Sequence, residues 1–195
     1  MIDHPKKASP PTTRLMLDIE TMGIRPNSLI LSIAAVIIQG TEVMANPFYC
    51  RVSMESCAKY GLKIDTDTLK WWLQQSEAAR AEIDRDPLHI FQALTDFTEY
   101  IKKHQPDEIW GNGSDFDNVI LSENYQVVGM EVPWKYHQNR CYRTLKNLYP
   151  EIKIQRLGTH HNALDDAITQ AHHLVDLLNR TTTPTGPHIA AGAAP

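Results

Sequence analysis

The sequence predicts an α/β domain on a mixed sheet, with three antiparallel strands first. Apolar runs of strand character fill its first third, helical spacings take over after Asp65, and a short strand run separates two helical stretches. Its 195 residues suit one domain with a sizeable core. Residues 14–19 (RLMLDI), 29–38 and 43–52 are the strands, and the turns at Pro26-Asn27 and Gly40-Thr41 favour hairpin connections. A helix is expected over 66–80, with Leu69, Trp72, Leu73 and Ser76 on one face and Asp65 or Asp67 as its cap. A second follows Pro87, where Ile90, Leu94, Phe97 and Ile101 form a continuous stripe. Residues 108–110 read as a strand leading through a Gly-rich turn to a helix over 116–128. The last helix spans 162–179, with Leu164, Ala167, Ile168, Ala171, Val175 and Leu178 along one side. Residues 1–13 and 181–195 have the Pro, Thr, Ala and Gly content of disordered tails, which leaves 14–180 as the expected domain.

Composition narrows the function classes. With 42% hydrophobic and 22% charged residues the chain is of the folded, water-soluble type. Its 19 Lys and Arg against 23 Asp and Glu give a net charge of -4, which argues against a protein that coats duplexes. Residues 1–14 lack the apolar segment of a secretory signal, and the longest apolar stretch, 29–38, is far below the ~20 residues that span a bilayer. A cytoplasmic location without membrane contact is expected. Cys50, Cys57 and Cys141 cannot all pair and show no C-x-x-C spacing, so free thiols are expected.

The informative residues are acidic. Asp18 and Glu20 end the first strand two residues apart, so strand alternation sends both carboxylates to one face. Like charges that close repel unless a cation lies between them, and paired carboxylates are the ligands that Mg²⁺ and Mn²⁺ prefer. An isolated Asp-x-Glu is ordinarily a solvated strand end, so the pair needs company. Asp117 opens a helix after the strand and Gly-rich turn of Trp110-Gly-Asn-Gly-Ser-Asp-Phe-Asp, although Asp115 and Asp117 also suit helix caps. In His160-His-Asn-Ala-Leu-Asp-Asp-Ala, imidazoles precede Asp165 and Asp166 at a helix start, where carboxylates also favour the helix dipole. Both Asp165 and Asp166 fall off the expected apolar stripe, so periodicity does not choose between them.

Leu-Asp-Ile-Glu-Thr-Met-Gly (17–23), Phe-Asp-Asn-Val-Ile-Leu (116–121) and His-Asn-Ala-Leu-Asp-Asp-Ala (161–167) together resemble the three ordered motifs of the DnaQ-like DEDDh 3′-5′ exonucleases. The strings 110–117 and Arg-Cys-Tyr-Arg-Thr-Leu (140–145) further resemble small RNase AS-like exoribonucleases and their phage or prophage relatives. The resemblance covers nearly all of 14–180. It implies a ribonuclease H-like fold, with a central mixed five-stranded sheet flanked by helices and the motifs meeting at one end. It also implies Asp18, Glu20, Asp117 and Asp166 as the acidic residues and His161 as the histidine. Asp166 is chosen over Asp165 because the motif places its histidine five residues ahead. No tyrosine precedes either Asp there, which disfavours the tyrosine-type variant.

The implied chemistry is two-metal phosphodiester hydrolysis with Mg²⁺ or Mn²⁺, two ions per site. Asp18 would bridge the ions, Glu20 and Asp166 complete one site, Asp117 support the other, and His161 act as general base. The substrate would be an RNA or single-stranded DNA 3′ end, or a short 3′ overhang, released as nucleoside 5′-monophosphates. Thr21, Met22 and Gly23 would hold the terminal nucleotide, with Met22 against a base. Trp71 or Trp72 could stack on a base, with core packing the stronger expectation for Trp72. Arg143 belongs to a locally basic segment with Arg140, Lys146, Lys153 and Arg156, which suits either the phosphate backbone or a solvated helix face. His172-His173 lacks the companions of a zinc site. A homodimer is implied for many relatives. Two ions would cancel the formal -4, so the acidic balance is compatible with a grip on a few terminal nucleotides. A proofreading or end-trimming exodeoxyribonuclease is the neighbouring alternative. A catalytically silent binding module is the alternative from another class, and it predicts a missing carboxylate where none is missing.

Overall fold

The computed structural model describes residues 11–182 apart from 82 and 84. Strand β1 (Thr13–Thr21) lies between two unlike neighbours. On one side β2 (Ile30–Gln39) runs antiparallel to it, with Asp18 opposite Ala34 and Glu20 opposite Ser32. On the other side β5 (Glu108–Gly111) runs parallel, the last pair being Met16 with Trp110. Beyond β5 lies β6 (Asn139–Cys141), also parallel. A parallel neighbour needs a long crossover, which the helices that precede β5 and those between β5 and β6 supply.

Among the described residues the sheet has six strands, where five were expected. Residues 43–52 were expected as one strand, but β3 (Glu42–Val43) and β4 (Phe48–Arg51) lie end to end along the same edge of β2. The break falls where Asn46 takes a left-handed φ of 67° and Pro47 offers no N–H to the ladder. Short β6 has too little apolar patterning to be read from sequence.

Helices cover both faces. Odd-numbered β1 residues Leu15, Leu17 and Ile19 join a core with α1 (Met54–Lys59), α2 (Thr66–Leu73), α3 (Glu77–Ala81), α4 (Ile90–His104) and α5 (Asp117–Val128). Met16, on the opposite face, packs with α6 (Tyr142–Leu148) and α7 (Ala163–Thr182). The stripe expected for α4 is buried as a whole. The helix expected over 66–80 breaks instead into α2 and α3, with Ser76 Oγ accepting the Ala79 N–H at 3.2 Å to start the second. Its expected face also fails: Leu73 is 63% exposed, and in α2 only Trp72 is buried. In α7 the fully buried apolar residues are Ala163, Ala167, Ala171, Leu174 and Leu177, so Ala167 and Ala171 of the expected stripe are buried and the face is rotated by about one position from the rest of it. That rotation matters, because it carries Asp166 and Gln170 onto the buried face with β1.

β1 begins at Thr13 and α7 ends at Thr182, so the ordered elements reach one or two residues into the expected tails. Residues 1–10 and 183–195 lie outside the described residues. Cys50 and Cys57 are buried free thiols and Cys141 is a partly buried one. Among the described residues no helix is long and apolar enough to cross a membrane.

Candidate active site

A cleft of about 650 Å³ opens at the end of the sheet where β1 stops. Asp18 and Glu20 reach it from β1 by strand alternation, as their spacing requires. Asp117 reaches it from the first position of α5, where its carboxylate continues the ladder that β5 abandons. Oδ1 accepts the Ile19 N–H at 3.3 Å and Oδ2 accepts the Asn112 N–H at 2.6 Å. Gly111 makes this approach possible, since a Cβ there would strike the Asn118 amide and come within 3.0 Å of the Asp117 Cβ.

Asp166 comes from the first turn of α7. Asn162 Oδ1 caps that helix by accepting the Leu164 and Asp165 N–H groups at 3.1 and 3.2 Å. The two adjacent aspartates then diverge. Asp165 turns back to accept the Thr159 N–H at 2.6 Å and is absent from the cleft wall, whereas Asp166 faces the cleft. One oxygen each of Asp18, Glu20 and Asp166 fall within 4.8 Å of one another.

Such a cluster is costly without a cation. At that separation two unit charges repel by about 3.5 kcal/mol at an effective dielectric of ~20. Burial and the neighbouring carboxylates push Asp18 well above the usual range. The same causes raise Glu20 to about 8, and burial raises Asp117 to about 6 despite its backbone hydrogen bonds. Gln170, one turn along α7 from Asp166, donates through Nε2 to Asp18 Oδ1 at 2.6 Å. A hydrogen bond to a charged group contributes only ~1.5–3 kcal/mol, so it offsets part of the repulsion from several neighbours. An oxygen-rich donor set of this kind fits Mg²⁺ or Mn²⁺.

His161 stands beside the carboxylates at φ 64°, a left-handed conformation unusual for a side-chain-bearing residue. Its N–H donates to Asp166 Oδ2 at 3.0 Å. Its ring stacks on His160 at 3.7 Å between centroids and meets the edge of Trp71 at 4.7 Å. Burial, followed by the charge of His160, lowers its pKa, which favours the neutral imidazole at pH 7. One donor atom each of His160, His161 and Asp166 also lie within 4.8 Å of one another.

The expected substrate contacts divide. Thr21, Gly23, Trp71 and Arg143 line the cleft. Met22 does not: it is 4% exposed in the core, because its N–H and C=O are tied to Leu29 O and Asp65 N at 2.8 and 2.7 Å and its side chain turns inward. The exposed apolar residue of this turn is Ile24, 72% accessible on the cleft wall. Trp72 is buried and its Nε1 donates to Thr21 O at 2.9 Å, whereas Trp71 remains 38% exposed. His173 is a core residue, bonded to Tyr142 Oη at 2.6 Å and Ile152 O at 3.0 Å, while His172 is exposed. Sequence reading missed Gln170, Ile24 and Asn112 as parts of this site. Only Gln170 had a usable signal, its four-residue spacing from Asp166.

Residues 13–178 match the family model of the Rv2179c-like 3′-5′ exoribonuclease domain. No curated protein matches by sequence. Among solved structures, the nuclease domain of 3′hExo, a DEDDh family member bound to rAMP, is similar with a TM-score of 0.59 at 15% identity, over 89% of this chain and 95% of that one. The cell-death related nuclease CRN-4 gives 0.58 at 12% identity, over 88% of this chain and 65% of that one. Pop2p of S. pombe, in its Mg²⁺ and Mn²⁺ bound form, gives 0.54 at 12% identity, over 86% and 83%. At these identities the likeness shows a shared ribonuclease H-like fold.

Proposed function

The chain belongs to the Rv2179c-like 3′-5′ exoribonuclease domain family and is a 3′-5′ exonuclease of the DEDDh type; from that premise we propose that it shortens single-stranded RNA, or short 3′ overhangs, one nucleoside 5′-monophosphate at a time. The observation that carries this reading is the meeting of Asp18, Glu20 and Asp166 within 4.8 Å, with Asp117 and His161 on the same cleft. The family description and the rAMP held by the 3′hExo domain favour RNA over DNA.

Asp18, Glu20 and Asp166, with Asp117 beside them, would hold the divalent ions. When bound, Mg²⁺ or Mn²⁺ supplies the positive charge that stabilises the attacking and leaving oxygens. His161, held neutral by its surroundings, accepts the proton of the attacking water on a ring nitrogen. The water oxygen bonds to phosphorus as the bond to the 3′-oxygen breaks, leaving a 5′-monophosphate. Gln170 orients Asp18, and the Asn112 and Ile19 N–H groups orient Asp117. Thr21, Gly23 and Ile24 on one wall and Trp71 on another receive the terminal nucleotide, and Arg143 meets the phosphate backbone.

The deciding experiment incubates Mn²⁺-loaded protein with matched RNA and DNA oligonucleotides carrying 3′ or 5′ labels. Mononucleotide release from the 3′ label and stepwise shortening of the 5′-labelled RNA are expected, with loss of both in EDTA and at least a ~100-fold lower rate for His161→Ala. Full activity in EDTA would sink the metal assignment, and full activity of His161→Ala would remove the base.

A further inference from the structure

Asp166 already has a cationic partner. Arg156 donates through Nη1 to Asp166 Oδ1, while Asp166 Oδ2 takes the His161 N–H at 3.0 Å. The same carboxylate belongs to the trio that converges within 4.8 Å. A guanidinium and a divalent ion addressing one carboxylate repel each other, so the two compete for it.

The surroundings of Arg156 permit exchange. Its side chain is 48% exposed, against 10% for Asp166, so the guanidinium stands on the solvent side of the pair. Residues 153–157 have no regular secondary structure, yet the backbone is pinned at both ends. The Leu157 N–H and C=O both bond Thr169 Oγ1, at 3.0 and 3.2 Å, and the Ile152 carbonyl bonds His173 Nε2 at 3.0 Å. A long, half-exposed side chain on an anchored backbone can change partner without moving the loop. Arg143, another cation on the cleft wall, lies toward Asp117, where its charge opposes part of the burial-driven rise in that carboxyl's pKa.

We propose that Arg156 is the counter-ion of Asp166 before metal loads and that, once displaced, it binds a phosphodiester adjoining the one being cut. This rests on the exonuclease reading above. The scissile phosphate must lie among the carboxylates, so the phosphate that Arg156 meets on the solvent side lies one step further along the strand. The planar guanidinium fork suits two phosphate oxygens as well as it suits a carboxylate. The ligand class is a single strand with a second phosphate beyond the scissile one.

The test combines a binding measurement with substrate length. Free Mn²⁺ is followed by electron paramagnetic resonance during titration of wild type, Arg156→Gln, Arg156→Lys and Asp18→Asn. The ratio of kcat/KM on a tetraribonucleotide to that on a dinucleoside monophosphate, which lacks the second phosphate, is measured across a KCl series. Arg156→Gln should bind Mn²⁺ about three- to fivefold more tightly. It should lower the length ratio about tenfold and reduce the salt slope on the tetranucleotide by about 0.7, the value of one single-strand phosphate contact. Arg156→Lys should recover most of the salt slope. Weaker Mn²⁺ binding in Arg156→Gln would show a scaffold for Asp166 and overturn the proposal, as would an unchanged length ratio. Undiminished Mn²⁺ binding in Asp18→Asn would instead overturn the metal reading beneath it.

Discussion

Along β1, the odd-numbered Leu15, Leu17 and Ile19 are sealed into one core, while the even-numbered positions change character midway, from Met16 in the second core to Asp18 and Glu20 in the cleft. One face lowers its free energy by removing apolar surface from water. On the other, burial raises the free energy of like charges, and the strand tolerates them because the odd face and the β2 ladder hold it in place. The apolar core and the acidic cleft are therefore separated by the thickness of a single strand.

Substituting across that strand is the sharpest way to break the comparison. Asp18→Asn is expected to lower exonuclease activity by ~100-fold or more while leaving metal-free thermal stability equal or higher, since it relieves a repulsion and keeps an acceptor for Gln170. Leu17→Ala, one residue away, is expected to cost about 2–5 kcal/mol in urea denaturation while keeping wild-type Mn²⁺ affinity in the folded fraction. If Leu17→Ala abolished Mn²⁺ binding by a folded protein, or if Asp18→Asn unfolded the chain, the two faces would not be separable in this way.

A gentler probe is pH. Glu20 and Asp18 have raised pKa values in the fold, so the metal-free folded chain retains protons that the unfolded chain has lost, and stability falls as pH rises through their folded values. His161, whose pKa is lowered from 6.5, acts in the opposite sense below that value. The decline should therefore be clearest between pH 6.5 and about 8, amounting to about 1–2 kcal/mol. Thermal melts with and without Mn²⁺ check this, and the metal should flatten the slope. A metal-free melting temperature that climbs through this window would contradict the assigned charge repulsion.

A single hydrogen bond joins the two faces. Trp72 packs in the odd-face core but its Nε1 holds the Thr21 carbonyl next to Glu20. Trp72→Phe should leave that carbonyl without its donor and cost about 1–3 kcal/mol in denaturation, with KM rising more than kcat falls. Equal stability of the variant and wild type would show that this hydrogen bond does not hold the turn.

What was legible in the sequence is what short-range rules control. Alternation placed Asp18 and Glu20 on one face, the 3.6-residue period found the buried stripe of α4, and three ordered motifs pointed to acidic residues that line one cleft. Short-range rules failed where a distant partner decides. Met22 looked like a substrate contact until the Leu29 and Asp65 backbones turned it inward, and Ile24 took the exposed place. The stripe of α7 was read about one position away from its true face, and only the packing of α7 on β1 separates buried, cleft-facing Asp166 from Asp165. Gln170 lies 152 residues from Asp18 and the Asp117 carboxylate 98 from the Ile19 amide, contacts that no local pattern encodes. The chain by itself thus determined the strand and helix periods and the shared face of Asp18 and Glu20, because each depends on neighbours within one or two turns. Which carboxylates meet, how far their charges are raised, and which arginine opposes them were decided by the tertiary structure, because those depend on burial and on elements brought together across the sheet.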